Sequence, residues 1–303
     1  MAKEITPTVH VPVLYNETLE ALNLAPGKII VDGTLGGGGH AIAIARAVAP
    51  SGLAIGIDRD PAALDRVDAL LAELGEALPF KSYFANYCDF DAALERANVE
   101  KVDGFLLDLG LSSDQLADRS RGFSFDSDGD LDLRFDPTEG TPAYQLINRW
   151  RAEQIADVIF QYGEERMSRR IARKIVEQRA ERPVRSARDL AEICRRCYPP
   201  SMRRNNKIDP ATRTFQALRI AVNDELGSLE TFLKKFIEYL NPGGRVAIIS
   251  FHSLEDRLVK KAFRETPTLK AITRKPIIAT DEEIKNNPRS RSAKLRVAEK
   301  MAE

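Results

Sequence analysis

Cysteine and histidine are scarce in this chain, and their scarcity argues against most zinc and redox sites. The 303 residues include three cysteines and three histidines. Cys194 and Cys197 form a CxxC pair, but no second pair of ligands follows at a zinc-binding spacing. We therefore predict no metal site and interpret both cysteines as helical residues that face a core. So few cysteines are typical of a reducing compartment.

Long apolar runs are also lacking, and this predicts a cytoplasmic protein with no membrane partner. No run of 18 apolar residues occurs anywhere in the chain. The N-terminal residues MAKEITPTVH do not contain the apolar segment of a secretion signal.

Net charge is lacking too, since Lys and Arg number 45 and Asp and Glu also number 45. The total therefore says nothing about a nucleic-acid partner, but the distribution does. Residues 114–165 contain 12 acidic and 5 basic residues, whereas residues 166–213 contain 15 basic and 5 acidic ones. The basic block predicts a surface that faces a polyanion. A solvated, arginine-rich helix face is the alternative.

Glycine, by contrast, is concentrated at one place, in the stretch IIVDGTLGGGGHA over residues 29–41. An apolar run ends in Asp32, five glycines fall within the next seven positions, and a helix-like stretch follows. A buried strand, a glycine-rich turn and a helix in this order bring the backbone close to a nucleotide-like ligand. The predicted contacts are Gly36, Gly37, Gly38, Gly39 and His40, and a tight turn without a ligand is the alternative.

The class of ligand is narrowed by the residues around this loop. No Gly-Lys-Ser/Thr follows, so the loop is not a P-loop. Asp32 is a poor neighbour for a pyrophosphate and a good one for a cation. S-adenosylmethionine carries an ammonium and a sulfonium group and no phosphate. Asp58, nineteen residues after Gly39, ends a second apolar run and suits a ribose diol. We therefore expect S-adenosylmethionine as the cofactor.

The order of apolar runs predicts an α/β fold with a parallel, doubly wound sheet. Strands are expected at 28–32, 53–58, 81–85, 103–108 and 245–250, with helices at 40–48, 61–74, 212–240 and 254–264. A closing hairpin of strands 269–277 and 292–300 would distinguish this sheet from the dinucleotide-binding arrangement. Residues 116–211 are too long for a loop and have helical periodicity at 151–162, 164–181 and 186–197. They are predicted to form an inserted, mostly helical domain, with 1–115 and 212–303 forming the domain that carries the sheet.

Several long motifs together closely resemble the MraW/RsmH family over essentially the whole chain, from His10 to about Ala298. These motifs are DGTLGGGGH, IDRDP, FANYCDF, LLDLGLSSDQL, GFSFDSDGDLDLRFDP, YGEER, DPATRTFQALRIAVNDEL and ISFHSLEDR. The family comprises bacterial methyltransferases that act on N4 of a cytosine in the decoding region of 16S ribosomal RNA. The resemblance implies a class I (Rossmann-like) methyltransferase sheet with an insertion, and 16S RNA or the small ribosomal subunit as partner. The sequence allows a homodimer but does not determine the oligomeric state.

The resemblance also implies the contacts with the cofactor. Gly38, Gly39 and His40 would contact the methionine part, and Asp58 would contact the ribose. Tyr87 would lie beside the adenine. Asp108 and Gln115, from the DLGLSSDQ segment, would complete the set.

The catalytic assignment is less direct, because amino-group DNA methyltransferases carry an Asn/Asp-Pro-Pro-aromatic motif where this chain has DLGLSS. The N4 amine of cytosine is a poor nucleophile, so hydrogen-bond acceptors for its protons are needed beside the methyl group. We expect Ser112, Ser113 and the segment 250–253 to face the base. Ser113 and His252 are the candidate catalytic residues, and a structural hydrogen bond at a strand end is the alternative for His252.

Two further segments and two alternative functions bear on this interpretation. Arg289, Arg291 and Arg296 are expected to contact the RNA backbone together with the basic block. The acidic stretch 122–137 is interpreted as a structured loop or lid, because a calcium-binding register with its terminal Glu is missing. A nicotinamide-dependent dehydrogenase and a non-enzymatic ribosome-assembly factor are the alternative functions. The predicted terminal strand pair and Asp32 argue against the first, and the intact loop with Asp58 and Asp108 argues against the second.

Overall fold

The computed structural model describes residues 11–199 and 208–302, which fold as two compact units. The first unit extends to Asp114 and resumes at Leu226, and the second is Gln115–Glu225. No helix in the described residues has both the length and the apolar character needed to cross a membrane.

The first unit is built on one seven-stranded sheet. Its strands are Ile29–Asp32 (β1), Leu53–Asp58 (β2), Phe80–Phe84 (β3), Val102–Asp108 (β4), Leu240–Ser250 (β5), Leu269–Ala271 (β6) and Lys294–Lys300 (β7). Their order in the sheet is β3-β2-β1-β4-β5-β7-β6. β1 to β5 are parallel, and β7 runs antiparallel between β5 and β6. This is the predicted class I methyltransferase arrangement, and the antiparallel β7 distinguishes it from an all-parallel dinucleotide-binding sheet.

The helices alternate with these strands and then continue through the second unit. They are Tyr15–Ala21 (α1), Gly39–Val48 (α2), Pro61–Leu74 (α3), Phe90–Ala97 (α4), Ser113–Ala117 (α5), Ala143–Arg149 (α6), Ala152–Gly163 (α7), Ser168–Glu181 (α8), Ala187–Arg196 (α9), Thr212–Asn223 (α10), Glu225–Tyr239 (α11), Ser253–Glu265 (α12) and Asp281–Asn286 (α13). Short 3₁₀ turns lie at Tyr87–Asp89 and Pro288–Ser292.

Alternation along β4 builds a core on each face of the sheet, because successive side chains of a strand point to opposite faces. Phe105 and Leu107 join an aromatic cluster with Phe232 of α11, where the rings of Phe105 and Phe232 meet edge to face at 5.5 Å. Leu106 points to the other face and packs in a cluster that includes Ile44 of α2. Both faces are buried, so the strands read as nearly continuous apolar runs.

The second unit is helical, as the periodicity predicted, although its limits differ from 116–211. α7 packs on both α8 and α10, and α8 also packs on α9. The unit therefore includes α10, which the sequence placed in the domain that carries the sheet. Cys194 and Cys197 are fully buried on one side of α9, which agrees with the interpretation of these cysteines as core residues.

The predicted helix 212–240 is two helices. Asp224 between them has φ 47, a left-handed conformation that ends α10. In the same way Glu164 has φ 49 and ends α7, so the predicted helix 164–181 begins only at Ser168. Single left-handed residues other than glycine leave no clear signal in the sequence.

The predicted terminal hairpin is a strand pair without a tight turn. β6 is much shorter than 269–277, and Ile277 makes only an isolated bridge to Leu295 of β7. α13 and the 3₁₀ turn Pro288–Ser292 occupy the connection, where the sequence predicted a turn-like link. The helices α1 and α4 were also not predicted.

Candidate functional site

The glycine-rich turn after β1 is held by the end of β2. Gly36 has φ 52, which is the left-handed region that glycine enters at little cost. Its N–H donates to Asp58 Oδ2 at 2.9 Å, and the Leu35 N–H donates to the Ile57 carbonyl at 3.0 Å. The carboxylate predicted to bind a ribose therefore also fixes the conformation of the loop.

Close packing explains two more of the glycines. Gly38 has φ 80, and a Cβ there would lie 2.7 Å from Cγ2 of Val67 in α3. A Cβ on Gly39 would overlap the ring of Pro12. Because these glycines have no Cβ, Val67 and Pro12 can pack directly against the loop. From the sequence, glycine was expected here for positive φ and for the approach of a ligand, and contact with Val67 and Pro12 is a further reason.

Three aspartates end neighbouring strands of the sheet. Asp32, Asp58 and Asp108 are the last residues of β1, β2 and β4. Thr34 connects two of them, because its N–H donates to Asp32 Oδ1 at 3.1 Å and its hydroxyl accepts from the Asp108 N–H at 2.6 Å. In the part of the chain that the structure describes, no lysine or arginine forms an ion pair with any of the three.

Burial makes the ionised forms of these carboxylates unfavourable. It raises the pKa of Asp108 to about 7, with a smaller contribution from the nearby Glu255. It raises the pKa of Asp58 to about 6, although hydrogen bonds from backbone N–H groups act in the other direction. The pKa of Asp32 is also well above its ordinary value, first because of burial and then because Asp108 and Asp58 repel its charge. Such a group of carboxylates favours a cationic ligand.

A cavity lies between the glycine-rich turn and the segment after β4. From the turn it is lined by Thr34, Leu35, Gly36, Gly39 and His40, and from β4 and beyond by Asp108, Gly110, Leu111 and Ser112. Val13, Phe251 and Arg289 complete the lining. Gly110 is required there, because a Cβ would lie 2.6 Å from the ring of Phe251. The structure thus brings together Gly36, Gly39, His40 and Asp108 among the predicted cofactor contacts.

Arg289 enters this cavity from the 3₁₀ turn before β7. Its Nη1 donates to the Ser113 hydroxyl at 2.5 Å. The sequence assigned Arg289 to an outer RNA surface and Ser113 to the target base, so neither the pairing nor its place was foreseen. The two residues are 176 positions apart, and no local pattern predicts such a contact.

His252 has a structural role in this fold. It is the N-cap residue of α12, where Nδ1 accepts from the Glu255 N–H at 3.4 Å. Its Nε2 lies 3.1 Å from Oε1 of the same Glu255. The alternative considered for His252, a structural hydrogen bond at a strand end, fits this geometry. Its assignment as a base remains a prediction that the contacts do not favour.

The remaining predicted cofactor contacts lie outside the lining of this cavity. Tyr87 begins the turn after β3, and its ring meets Phe232 edge to face at 6.0 Å. Gln115 is buried within α5. Gly37 lies in the turn between Gly36 and Gly38, and Asp58 contacts the loop from β2. Their roles toward the cofactor remain predictions.

Arg296 is not available to RNA, contrary to the expectation from the sequence. It is 7% exposed, and its Nε donates to Asp256 Oδ1 at 2.6 Å. Its side chain lies on the same face of β7 as Ala298, opposite to Leu295 and Val297, and is buried there against Asp256. Arg291, in contrast, is exposed.

Within the second unit, many charges of the basic block are paired. Arg185 pairs with Asp130 at 2.8 Å and Arg188 with Asp128 at 2.9 Å. Arg182, Arg195 and Arg196 pair with acidic residues of the same unit. The first two pairs use aspartates of the stretch 122–137, which is a structured loop as predicted. The calcium interpretation is further weakened, because Asp128, Asp130 and Asp132 already have arginine partners.

Of the described arginines of the block that form no ion pair, Arg179 and Arg213 donate to backbone carbonyls, and four others remain. Arg166, Arg169, Arg170 and Arg173 are all exposed. Their spacing of three, four and seven residues places them on one face of α8 and the turn before it. The buried residues of α8, which include Ile171 and Ile175, form the opposite face. We call these four residues the α8 arginine face.

The comparisons with known proteins agree with this architecture. The sequence pattern of the MraW methylase family matches residues 7–301. A protein of Rhodopirellula baltica is 49% identical over 302 residues, which cover 97% of this chain and 92% of that protein. A protein of Nostoc sp. is 52% identical over 295 residues, which cover 97% and 93%. Both are named ribosomal RNA small subunit methyltransferase H.

Solved structures offer more distant likenesses. An rRNA methylase from Streptococcus thermophilus has a TM-score of 0.45 and 11% identity, covering 95% of this chain and 94% of its own. A protein from Streptococcus mutans, solved in complex with SAH, has a TM-score of 0.46 and 11% identity, with coverage of 96% and 99%. The fold assignment rests on the strand order of the sheet and not on these likenesses.

Replacement of Asp108 by Asn is expected to stabilise the ligand-free protein at high pH. The pKa of about 7 in the folded state exceeds the unfolded value of about 3.9. The folded state therefore holds an extra proton between these values, and the contribution of Asp108 to stability is lost as pH rises from about 4 to 7. At pH 8 we expect Asp108→Asn to raise the free energy of unfolding by about 1–3 kcal/mol. Urea unfolding at pH 8 and pH 4 measures this, and an equal effect at both pH values would contradict the raised pKa.

Proposed function

The chain belongs to the MraW methylase family, and we propose on that basis that it methylates N4 of a cytosine in the decoding region of 16S ribosomal RNA, with S-adenosylmethionine as methyl donor. One observation carries the proposal: the family pattern spans residues 7–301, so that the sheet and the helical unit are matched together. The curated relatives, named ribosomal RNA small subunit methyltransferases, support the RNA substrate. Such a reaction takes place in the cytoplasm, on the RNA or on the small subunit.

The residues around the cavity fit this cofactor. Three carboxylates with raised pKa values meet at the ends of β1, β2 and β4, and a ligand that carries an ammonium and a sulfonium group would favour their ionised forms. Asp58 would hold the ribose hydroxyls, and the turn Gly36–His40 with Asp108 would hold the methionine part. Tyr87 and Gln115 would complete the contacts. When bound, the cofactor supplies a methyl group on a sulfonium centre.

The same cavity supplies acceptors for the target amine. Asp108 and Ser112 line it together. With a pKa of about 7, the Asp108 carboxylate can ionise near neutral pH and accept a hydrogen bond from N4. Such a bond draws the nitrogen lone pair out of the ring, and alignment of the two reactants supplies much of the remaining rate enhancement. We propose Asp108 for this role ahead of His252, whose imidazole caps α12.

An exocyclic amine is favoured over ring carbon 5 as the methyl acceptor. Methylation at carbon 5 requires a thiolate that attacks the base. Burial raises the pKa of Cys194 to about 12 and also raises the pKa of Cys88. None of the three cysteines lines the cavity. The direct test is mass spectrometry of nucleosides from 16S RNA treated with the protein and cofactor. The proposal requires N4-methylcytidine, and 5-methylcytidine or unmodified RNA would contradict it.

Asp58→Ala is expected to weaken binding of S-adenosylmethionine about 10- to 100-fold, because a hydrogen bond to a charged acceptor contributes roughly 1.5–3 kcal/mol. Isothermal titration calorimetry measures the affinity. Asp65→Ala removes the same charge from an exposed position of α3 and should leave it unchanged. Asp58→Asn removes the charge but keeps an acceptor oxygen for the Gly36 N–H. It therefore tests the contact with the ligand while the hydrogen bond that supports the loop is retained. Parental affinity in Asp58→Ala would disprove the assignment of the ribose to Asp58.

Neutralising the α8 arginine face should weaken RNA binding and reduce its salt dependence. Log affinity falls as log salt rises, and each lost phosphate contact makes this fall less steep by about 0.7–0.9 in the slope. The variant Arg166→Gln, Arg169→Gln, Arg170→Gln and Arg173→Gln is compared with a control, Arg182→Gln, Arg185→Gln, Arg188→Gln and Arg196→Gln. The control loses the same charge, but from arginines that are paired with acidic residues. Equal slopes for the two variants would show that the α8 arginine face does not contact RNA and is an ordinary solvated helix surface.

A variant without cysteine should retain methyl transfer. Cys88→Ser, Cys194→Ala and Cys197→Ala remove every thiol, and transfer of labelled methyl groups to the small subunit RNA measures the result. Asp108→Ala provides the contrast and should lose turnover by at least about 100-fold. Inactivity of the cysteine-free protein, once its circular dichroism shows a normal fold, would favour a covalent mechanism.

A further inference from the structure

Arg289 occupies an unusual electrostatic position in the first unit. It lines the cavity, and its Nη1 donates to the neutral hydroxyl of Ser113. Asp114, the next residue, lies near enough to interact electrostatically, but it forms its own ion pair with Arg66 at 3.6 Å. No carboxylate lies within 4.0 Å of the Arg289 guanidinium among the described residues.

Two other arginines of the first unit that are buried or partly buried have carboxylate partners. Arg296 is 2.6 Å from Asp256, and Arg245 is 2.8 Å from Glu299. A guanidinium carries five N–H donors in a planar fork that fits two oxygens of a phosphate or carboxylate. A half-buried arginine that has only a hydroxyl partner therefore retains donors for an anion, and here those donors border a cavity.

The backbone that carries Arg289 is fixed in place. The Asn287 side chain donates from Nδ2 to the Val11 carbonyl at 3.1 Å. The hydroxyl of the fully buried Ser290 donates to the Asn287 carbonyl at 2.8 Å. The residues on either side of Arg289 are thus held by hydrogen bonds, and its side chain is presented to the cavity from a rigid turn.

Two anions come near this cavity if the proposed function holds, namely the carboxylate of the cofactor and a phosphate of the target nucleotide. The N-terminus of α2, at Gly39 and His40, already offers backbone N–H groups and a positive dipole for the cofactor carboxylate. No acidic residue lies in the first turn of this ten-residue helix. Arg289 is then available to bind the other anion, a phosphate of the target nucleotide.

The target base must leave its stack to reach a methyl donor inside a cavity, and its own phosphates then lie at the cavity mouth. Arg289 is partly exposed and partly buried, as a residue at such a mouth would be. We propose that Arg289 binds a phosphate of the nucleotide that is methylated, and that Ser113 is a positioning residue that orients its guanidinium. This inference rests on the proposed function, and it assigns to a single side chain the recognition of the target nucleotide's backbone.

The test compares binding of a nucleoside with binding of its nucleotides. Protein saturated with S-adenosylhomocysteine is titrated with cytidine, cytidine 3′-monophosphate and cytidine 5′-monophosphate. We expect the parent to bind at least one nucleotide about 10-fold more tightly than cytidine, as one charged hydrogen-bonded contact provides. Arg289→Met should remove this preference and leave the affinities for cytidine and for S-adenosylhomocysteine unchanged.

Three further variants sharpen the comparison. Lys285→Met removes a charge from an exposed position on the preceding helix and should retain the preference. Arg289→Lys keeps the positive charge but loses the planar guanidinium group. It should retain only part of the preference for a nucleotide over cytidine. Ser113→Ala should reduce the preference for the nucleotide and leave cytidine binding unaltered. The retained affinity for S-adenosylhomocysteine reports that each variant is folded.

Several outcomes would overturn the inference. A parent that binds cytidine and both nucleotides equally has no phosphate site. An Arg289→Met variant that retains the preference places that site elsewhere. A fall in S-adenosylhomocysteine affinity with an unchanged nucleotide preference assigns Arg289 to the cofactor carboxylate. Failure of the parent to bind S-adenosylhomocysteine or to methylate RNA would instead contradict the proposed function, so the two failures are distinguishable.

Discussion

Burial of three carboxylates in one region of the sheet is the constraint on which the first unit's site depends. The parallel sheet brings Asp32, Asp58 and Asp108 to the ends of adjacent strands, and burial raises the pKa of each. The loop is fitted to this arrangement, because Asp58 accepts the N–H of Gly36 and Thr34 contacts both of the other aspartates. A cationic ligand relieves an unfavourable feature that the fold itself creates. The free energy that burial costs in the ligand-free protein thus becomes selectivity for the proposed cofactor.

Charge has a different use in the second unit. Five arginines of its basic block, Arg182, Arg185, Arg188, Arg195 and Arg196, are paired with carboxylates of the acidic loop or of the helical unit, and such pairs hold irregular backbone in place. Exposed pairs contribute little to stability individually. Their effect is to cancel charge, so that the unpaired positive charge of α8 is concentrated on the face formed by Arg166, Arg169, Arg170 and Arg173. A net charge counted along the sequence therefore overstates the unpaired positive surface of this unit.

The sequence predicted what depends on local pattern. Apolar runs predicted the order of strands along the chain. The glycine-rich turn and Asp108, both singled out in the sequence, line the cavity, and Asp32 and Asp58 end the neighbouring strands. Prediction from the sequence failed where contacts join distant segments of the chain. Arg289 and Ser113 lie 176 positions apart, and Arg296 was mistaken for a surface residue because Asp256 is its partner only in the folded chain. His252 was a candidate base with a structural hydrogen bond as its alternative, and in the fold it caps α12, while its catalytic role stays a prediction. Left-handed residues such as Asp224 ended helices without a glycine to mark them.

The central claim, that raised-pKa carboxylates receive a cationic cofactor, has a direct measurement. Calorimetric titration of the protein with S-adenosylmethionine at pH 6.5, in buffers with different ionisation enthalpies, gives the number of protons exchanged on binding. Because Asp108 and Asp58 have pKa values of about 7 and about 6 in the ligand-free protein, binding should release protons, and Asp108→Asn should release fewer. Proton uptake on binding, or no exchange, would contradict the account.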